Sequence, residues 1–209
     1  TNIDDDFGKK IVRRHGGDNV VCYGLQSNIQ EFGCKYVAAN YINYTMAGTN
    51  LKIQSSWGSV NVSTRLIGTG NVYNILAISA YLLFAGVDLL DLPVIISSLP
   101  NIPGRMEVFG GGNKPTVVVD YAHSEDSFAA VLKFLMAHCS GSLVSVFGCG
   151  GERPVDRRSG MGRVADLYAD KIILTQDNPR GENIADINST ILANISDNTK
   201  VTLIDDRDD

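Results

Sequence analysis

Hydrophobic and polar residues follow two different patterns along this chain of 209 residues. Up to about residue 66, short apolar runs alternate with polar turns, which predicts strands at residues 19–23, 34–38 and 50–55. Residues 71–85 are apolar on nearly every helical face, so we predict a buried helix there. The apolar pattern of residues 89–99 predicts a second helix.

A break at residues 100–104 separates the two patterns, because two prolines and a glycine lie within five positions. We therefore predict a first domain of residues 1–102 and a second of residues 103–209. Beyond the break, strands and helices alternate, which is typical of an α/β fold with a mostly parallel sheet. The predicted strands cover residues 116–120, 142–147, 171–175 and 200–204, and a short helix follows the second of them.

Two further helices of the second domain are predicted from the spacing of their apolar residues. The first places Phe128, Val131, Leu132, Leu135, Met136 and Cys139 along one face, and the second is marked by Ile184, Ile187, Ile191 and Ile195. Ser124 is the predicted N-cap of the first helix, since its hydroxyl can accept a backbone N–H. Glu125 and Asp126 then suit the positive end of the helix dipole.

Composition restricts the class of protein. Hydrophobic residues make up 44% and charged residues 20% of the chain, and no apolar run approaches the length of a membrane-spanning helix. The net charge of -5 argues against nucleic acid as a partner. Four cysteines lack a CxxC pair or metal-ligand spacing, and the chain opens without a signal peptide, so we expect reduced thiols in a cytoplasmic protein.

The main candidate for chemistry follows the predicted strand at residues 171–175. The sequence Asp-Asn-Pro-Arg-Gly-Glu at residues 177–182 lies at the carboxyl end of that strand, where ligands of open α/β sheets bind. Asp177, Asn178 and Arg180 offer a carboxylate, an amide and a guanidinium, a set that suits an amino acid with ammonium and carboxylate groups. A capped turn that leads into the next helix would use the same residues.

A glycine-rich segment, Gly-Cys-Gly-Gly-Glu-Arg at residues 148–153, follows the strand at residues 142–147. Arg153 stands where a dinucleotide fingerprint needs its third glycine, so we expect its guanidinium to bind a carboxylate instead. Arg157 and Arg158 are placed on the same loop, which could equally be a solvated basic loop. Another glycine-rich stretch, residues 110–116, precedes a strand and is predicted to be a hairpin turn instead of a P-loop.

Asp120 and His123 lie at the carboxyl end of the predicted strand at residues 116–120. The carboxylate could accept hydrogen bonds from a ribose hydroxyl, and the histidine could approach a phosphate. Both residues could equally cap the helix that follows.

Three further residues, two before the predicted break and one after it, could also contact a nucleotide. Asn71 and Asn74 carry amides that can both donate to and accept from an adenine edge, although Asn71 could equally be an N-cap. Arg105 could neutralise a phosphate or pair with Glu107.

Six motifs occur in an order that resembles the middle and later parts of the Mur ligases. They are Trp-Gly at residues 57–58, Gly-Thr-Gly-Asn-Val-Tyr-Asn at 68–74, Gly-Arg-Met-Glu-Val at 104–108, Val-Asp-Tyr-Ala-His at 119–123, Phe-Gly-Cys-Gly-Gly-Glu-Arg at 147–153 and Asp-Asn-Pro-Arg-Gly-Glu at 177–182. The opening Asn-Ile-Asp-Asp at residues 2–5 is also similar to a stretch of the family's central domain. The resemblance implies the later half of a P-loop-type ATPase central domain followed by a Rossmann-like domain with a mostly parallel sheet.

The resemblance is to the family members that add diaminopimelate. It implies a ligase that joins meso-diaminopimelate to UDP-N-acetylmuramoyl-L-alanyl-D-glutamate with ATP and magnesium, through an acyl phosphate, in peptidoglycan precursor synthesis. The implied ATP contacts are Asn71, Asn74, Arg105, Asp120 and His123, and the implied diaminopimelate contacts are Arg153, Asp177, Asn178 and Arg180. Lysine-adding relatives depart from the Asp-Asn-Pro-Arg pattern, because only diaminopimelate has a distal carboxylate that needs a cation.

The chain departs from the family's pattern at several places. Ser-Glu-Asp at residues 124–126 stands where Thr-Pro-Asp is usual, Glu152 where Asp is usual, and Arg-Arg-Ser at residues 157–159 where Lys-Arg-Pro is usual. We expect both ends to be cuts, with the family's P-loop, magnesium ligands, carbamylated lysine and UDP-sugar domain upstream. The 209 residues alone are then expected not to ligate. A catalytically silent homologue, or a ligase for another amino acid, is the alternative.

Overall fold

The computed structural model describes residues 1–25 and 28–205, so the acidic end of the chain, residues 206–209, lies outside the described residues. The backbone forms two compact units, Thr1–Val119 and a second that begins at Asp120. The first unit includes residues 103–119, which the predicted division at residue 102 assigns to the second domain. Throughout the described ranges, no helix has both the length and the apolar character needed to cross a membrane.

Within the described residues, the first unit combines helices with a four-stranded sheet and a separate hairpin. Its elements are α1 (Asp6–His15), β1 (Val21–Gly24), a 3-10 turn (Ile29–Phe32), β2 (Lys35–Thr45), β3 (Gly48–Ser55), β4 (Gly58–Thr64), α2 (Thr69–Phe84), a 3-10 turn (Leu89–Asp91), α3 (Leu92–Ser97), β5 (Glu107–Gly110) and β6 (Thr116–Val119). The sheet has the order β1-β2-β3-β4, in which β1 and β2 are parallel and the other neighbours antiparallel.

Helix α2 packs its apolar residues into the core of the first unit. The core takes Val37, Leu51, Ile53 and Val62 from the sheet, Val72, Ile75, Leu76 and Leu83 from α2, and Leu92 and Ile96 from α3. The predicted burial of nearly every face of α2 is wrong, because Ile78, Tyr81 and Phe84 are exposed. The second predicted helix is also shorter than expected, since its first part is the 3-10 turn Leu89–Asp91.

Helix α1 corrects the prediction that only short strands and turns occupy the beginning of the chain. Asp5 caps the helix, since its Oδ1 accepts the N–H of Gly8 at 2.7 Å. Arg13 and Arg14 lie in the last turn, where positive charge stabilises the helix dipole. Only Gly8 and Val12 of the helix are buried, so its apolar pattern is too sparse to indicate a helix. Strand β4 was likewise not predicted.

The stretch at residues 110–116 is a hairpin turn, as predicted. It joins β5 to β6, which pair antiparallel from Glu107 opposite Val119 to Gly110 opposite Thr116. Gly110, Gly111 and Gly112 all have positive φ, which side-chain-bearing residues rarely adopt. Strand β6 therefore pairs with β5 and is not part of the parallel sheet of the second unit.

The described part of the second unit is an α/β layer structure with a parallel sheet, which confirms the predicted fold class. Its elements are α4 (Glu125–His138), β7 (Val144–Phe147), α5 (Val155–Tyr168), β8 (Lys171–Thr175), α6 (Ile184–Leu192), a 3-10 turn (Asn198–Lys200) and β9 (Val201–Ile204). The strands lie in the order β7-β8-β9 and are all parallel. Their core is formed with the three helices by Phe128, Leu132, Phe147, Met161, Val164, Ala165, Ile172, Leu174, Ile187 and Ile191.

Helix α4 begins where it was predicted to begin. Ser124 is its N-cap and forms a capping box with Ser127. The predicted apolar face is correct for Phe128 and Leu132 but wrong for Met136 and Cys139, which are exposed. Phe134, which was not assigned to that face, is buried instead.

Two leucines that are paired on neighbouring strands of the second unit allow the burial pattern of the sheet to be tested. Leu174 on β8 is fully buried, whereas its partner Leu203 on β9 is 51% exposed. We expect Leu174→Ala to lower the free energy of unfolding by about 2–5 kcal/mol, because it removes buried methyl groups and leaves a cavity.

Leu203→Ala is the matched control and is expected to cost well under half as much. Denaturant unfolding followed by circular dichroism gives both values. Equal losses for the two variants would contradict the burial pattern of this sheet.

Candidate functional site

Two loops meet at the carboxyl edge of the parallel sheet. The glycine loop, residues 148–154, follows β7, and the arginine loop, residues 176–183, follows β8. Strands β7 and β8 are direct neighbours, with Phe147 opposite Leu174. Because parallel neighbours end at the same edge, the predicted carboxylate-binding Arg153 and the Asp-Asn-Pro-Arg sequence are brought to one place.

Glycine is required where the two backbones touch. A Cβ added to Gly151 would overlap the carbonyl group of Pro179, and one added to Gly148 would overlap the carbonyl oxygen of Thr175. Neither overlap could be relieved by moving a side chain, since both involve backbone. The glycine loop therefore has its composition because it packs against the arginine loop.

Hydrogen bonds join the two loops along the same line. The N–H of Gly151 donates to the carbonyl of Asn178 at 2.9 Å, and Nη1 of Arg180 donates to the carbonyl of Gly151 at 2.5 Å. A longer bond of 3.4 Å runs from the N–H of Gly181 to Oε1 of Glu152. The arginine loop is thus held against the glycine loop by both backbone and side chain.

Each loop contains one non-glycine residue in the left-handed region. Glu152 has φ 53° and Arg180 has φ 49°. This conformation is unfavourable for a residue with a Cβ, and it persists only where surrounding contacts hold it. Both residues take part in the contacts that pair the loops, which marks this junction as a strained part of the second unit.

A partly buried ion pair joins α5 to the end of the arginine loop. Arg158 belongs to α5, its side chain is only 4% exposed, and its Nη2 lies 2.8 Å from Oε1 of Glu182, which is 34% exposed. The same oxygen accepts the N–H of Glu152 in a short hydrogen bond. Nη2 also lies 3.4 Å from the carbonyl oxygen of Gly150.

The position of Arg158 corrects the prediction that Arg157 and Arg158 lie on the glycine-rich loop, with a solvated basic loop as the alternative. Both residues lie in the first turns of α5, and Arg158 is buried. A sequence signal for this existed: Arg158 precedes Met161 by three and Ala165 by seven positions, so it shares the apolar face of the helix. Glu182 ends the motif at residues 177–182, but no role was assigned to it, because its partner Arg158 lies 24 positions earlier in the chain.

The ionisation of the junction follows from these contacts. The hydrogen bonds from Arg158 and from the N–H of Glu152 lower the pKa of Glu182 to about 2. The bond to Glu182 raises the pKa of Arg158. Burial raises the pKa of the Cys149 thiol to about 11, so this cysteine of the glycine loop is a neutral packing residue beside Met161.

The remaining predicted substrate residues are exposed at the loop surfaces. Arg153, Asp177, Asn178 and Arg180 all face solvent. Oδ1 of Asn178 accepts the N–H of Arg180 at 3.3 Å, which shapes the turn around Pro179. Among the described residues, Arg153 has no hydrogen-bond or ion-pair partner. The structure thus brings the four residues to adjoining loops and leaves two guanidinium groups at the surface.

Asn71 and Asn74, of the predicted nucleotide contacts, lie in the first turns of α2. Asn71 is buried, and its Nδ2 donates to the carbonyl of Ile67 at 2.9 Å. Its Oδ1 accepts Nδ2 of the exposed Asn74 at 3.3 Å. Asn71 is not the N-cap, which is Gly68. Arg105 is exposed after a turn closed by its N–H to the carbonyl of Ile102.

The other two predicted nucleotide contacts begin the second unit. Oδ1 of Asp120 accepts the N–H of Ala122 at 2.7 Å. Nδ1 of His123 lies 3.0 Å from the carbonyl of Tyr121, and because a carbonyl only accepts, Nδ1 carries a proton there. Neither residue is the cap of α4, which is Ser124. These two residues and the three above belong to different units.

Family models match both parts of this chain. The model described as Mur ligase, glutamate ligase domain, matches residues 104–209, and the Mur ligase middle domain matches residues 1–82. The chain belongs to the Mur ligase family. The loops and helices described above are therefore parts of a Mur ligase fold, as the motif order predicted.

Individual Mur ligases show the same relationship. The chain is 36% identical over 206 residues to a UDP-N-acetylmuramoyl-L-alanyl-D-glutamate--2,6-diaminopimelate ligase of Haemophilus influenzae. The matched residues cover 99% of this chain and 42% of that protein. A solved structure of a ligase with the same name has a TM-score of 0.61 at 33% identity, covering 99% of this chain and 42% of that one. The chain thus spans less than half the length of these relatives.

The same fold also occurs in a protein that is not named as a Mur ligase. A folylpolyglutamate synthase of Mycobacterium tuberculosis, solved with ADP and AMPPCP, has a TM-score of 0.71 at 17% identity, over 97% of this chain and 51% of that one. At this identity the likeness shows a common fold alone.

The left-handed conformation of Arg180 has a measurable consequence. Arg180→Ala and Arg180→Gly both remove the guanidinium, but only glycine removes the backbone penalty. We therefore expect Arg180→Gly to be more stable than Arg180→Ala by about 1 kcal/mol, by denaturant unfolding.

Arg163, in the middle of α5, provides the opposite control. There glycine is expected to be less stable than alanine by about 1 kcal/mol, because a helix interior disfavours glycine. The conformation of Arg180 would be wrong if the two sites ranked alanine and glycine alike.

The lowered pKa of Glu182 predicts an acid-dependent stability. Its carboxylate has a lower pKa in the folded than in the unfolded protein, where it is near 4.3, so its contribution is present above that value and is lost as pH falls towards about 2. We expect the stability difference between wild type and Glu182→Gln to be constant from pH 7 to 5. It should shrink as the pH is lowered further.

Thermal unfolding at each pH measures this difference. The pH dependence of the wild-type stability alone does not report on Glu182. Hydrogen bonds from Lys200 and Ser196 also lower the pKa of Asp166, which therefore contributes to that dependence. A difference for Glu182→Gln that is independent of pH would show that its carboxylate is not held by Arg158.

Proposed function

We propose that this chain is part of an ATP-dependent Mur ligase that adds meso-diaminopimelate to UDP-N-acetylmuramoyl-L-alanyl-D-glutamate in peptidoglycan precursor synthesis. The observation that carries the proposal is the pair of exposed guanidinium groups, Arg153 and Arg180, on two loops at one edge of the sheet. Similarity to ligases of that name supports it. Four cysteines with free thiols support a reducing compartment, and we propose the cytoplasm.

The charges of diaminopimelate suit this set of residues. Nη1 of Arg180 is used by the carbonyl of Gly151, which leaves the other guanidinium N–H groups to bind a carboxylate. Arg153 offers a second fork on the glycine loop. Asp177 provides negative charge for an ammonium group, and the exposed amide of Asn178 can donate to a carboxylate. A lysine substrate lacks the distal carboxylate and would leave one guanidinium without a partner.

Two residues at the start of α2 support an adenine contact. The bond to Ile67 fixes the amide of Asn71, and Asn71 in turn orients the amide of Asn74. Asn74 remains exposed, so its amide can both donate to and accept from an adenine edge. We therefore assign the contact to Asn74 and the positioning to Asn71.

The residues proposed for the rest of the nucleotide carry suitable donors and acceptors. Asp120 can accept from ribose hydroxyls, while His123 and Arg105 can donate to phosphate oxygens. When bound, ATP supplies the phosphate that activates the substrate carboxylate, with magnesium to neutralise charge. In residues 1–25 and 28–205, no group of three or more His, Cys, Asp and Glu residues could hold a metal, and we assign no magnesium ligand there.

Substitution of Arg180 in the complete ligase tests the proposal. Arg180→Ala is expected to raise KM for diaminopimelate by roughly 10–100-fold, since a hydrogen bond to a charged group contributes about 1.5–3 kcal/mol. The larger loss of affinity that follows from breaking a fully buried ion pair is not expected, because Arg180 is exposed. KM for ATP should not change. The preference for diaminopimelate over lysine should narrow.

Arg163→Ala is the matched control, because it removes a guanidinium from α5 that pairs with Glu125. It is expected to leave all KM values unchanged. A wild-type ligase that prefers another amino acid, or a protein without any ligase activity, would refute the proposed substrate. An unchanged KM in Arg180→Ala would refute the role of the arginine loop.

A further inference from the structure

We infer that Arg158 is a positioning residue for the carboxylate site, acting through Glu182. The inference rests on the proposed function, since it explains how the loops that carry Arg153 and Arg180 are held in place. Arg158 itself is buried and does not face the exposed surfaces of the loops.

The burial of Arg158 makes its partner obligatory. A guanidinium removed from water costs several kcal/mol unless it is paired and hydrogen-bonded. Its Nη2 donates to the carboxylate of Glu182 at 2.8 Å and to the carbonyl of Gly150 at 3.4 Å. Because Arg158 is part of a helix whose backbone is fixed, Glu182 is drawn to a defined point and cannot move freely with its loop.

Glu182 transfers this position to both loops. It lies two residues after Arg180, so its anchoring limits where the arginine loop ends. Its Oε1 also accepts the N–H of Glu152, which lies directly before Arg153. One carboxylate oxygen thus joins α5, the glycine loop and the arginine loop, next to each proposed substrate-binding guanidinium.

The backbone at both positions needs such an anchor. Glu152 and Arg180 have φ of 53° and 49°, and neither would keep this conformation in a free loop. Hydrogen bonds between Gly151, Asn178 and Arg180 hold the two loops together, and the ion pair between Arg158 and Glu182 holds them against α5. Without the pair, Arg180 is expected to sample conformations that do not face a substrate carboxylate.

Helix α5 offers a control for a purely structural role. Arg163 lies on the same helix and also binds a glutamate, Glu125, at 3.2 Å, but it is 54% exposed and far less buried than Arg158. It pairs α5 with α4 and does not touch either loop. A substitution there removes an arginine–glutamate pair of the same helix without disturbing the junction.

The test compares Arg158→Met, Glu182→Gln and Arg163→Met in the complete ligase. Arg158→Met and Glu182→Gln are each expected to raise KM for diaminopimelate about ten-fold, equivalent to ~1.4 kcal/mol. KM for ATP and for the UDP-sugar dipeptide should stay within two-fold, roughly. The double variant should be no worse than the single ones, because it leaves no unpaired charge. Arg158→Lys should restore part of the loss.

Hydrogen exchange of the peptide that contains residues 176–183 separates this inference from the proposed function. Exchange should rise in Arg158→Met and Glu182→Gln but not in Arg163→Met, whichever amino acid the ligase uses. Unchanged exchange overturns the anchor. Faster exchange with an unchanged KM for the amino-acid substrate overturns the positioning role. If Arg158→Met does not fold, Glu182→Gln decides the question, since its side chain is partly exposed.

Discussion

One carboxylate oxygen connects helix α5 with the two loops that carry the proposed substrate contacts. Oε1 of Glu182 binds the guanidinium of Arg158, fixed in α5, and the N–H of Glu152 in the glycine loop. The pairing is energetically necessary because Arg158 is buried, so that water cannot solvate its charge in place of Glu182. A charge that cannot be exposed therefore determines where two surface loops lie.

Glycine provides the second constraint. Gly148 and Gly151 let the two loops touch backbone to backbone, so that polar groups of one satisfy those of the other. What remains for a ligand is the outer set of side chains, of which Arg153 and Arg180 carry the positive charge. The strain at Glu152 and Arg180 is tolerated because the junction is held from both sides.

The fold of this chain is shared more widely than its sequence. A folylpolyglutamate synthase shares the fold with this chain at 17% identity, so the layers of helices and sheet tolerate extensive substitution. Similarity at 36% identity is found with a diaminopimelate ligase, which shares both Mur ligase domains. Under the function proposed above, substrate choice depends on the polar groups of the glycine and arginine loops at the edge of this shared sheet.

Much of the fold was predictable from local pattern. Strand β8 was predicted at residues 171–175, and the capped start of α4 and the hairpin turn at residues 110–116 were also predicted correctly. These features depend on β-branched runs, a serine cap and consecutive glycines, which act over a few residues. Helix α1 was missed because its burial is sparse. Strand β6 was predicted at nearly the right residues but was assigned to the parallel sheet, whereas it pairs antiparallel with β5 across the hairpin turn.

The sequence by itself determined the family, the order of the motifs and the identity of the exposed guanidinium groups, because each is written in a short run of residues. Only the tertiary structure decided that Arg158 is buried, that Glu182 is its partner, and that Glu152 and Arg180 are left-handed. Residues 158 and 182 are 24 positions apart, and they meet because β7 and β8 are adjacent parallel strands and α5 begins directly after the glycine loop. Electrostatic pairing across such a separation depends on the folded geometry, which local sequence does not contain.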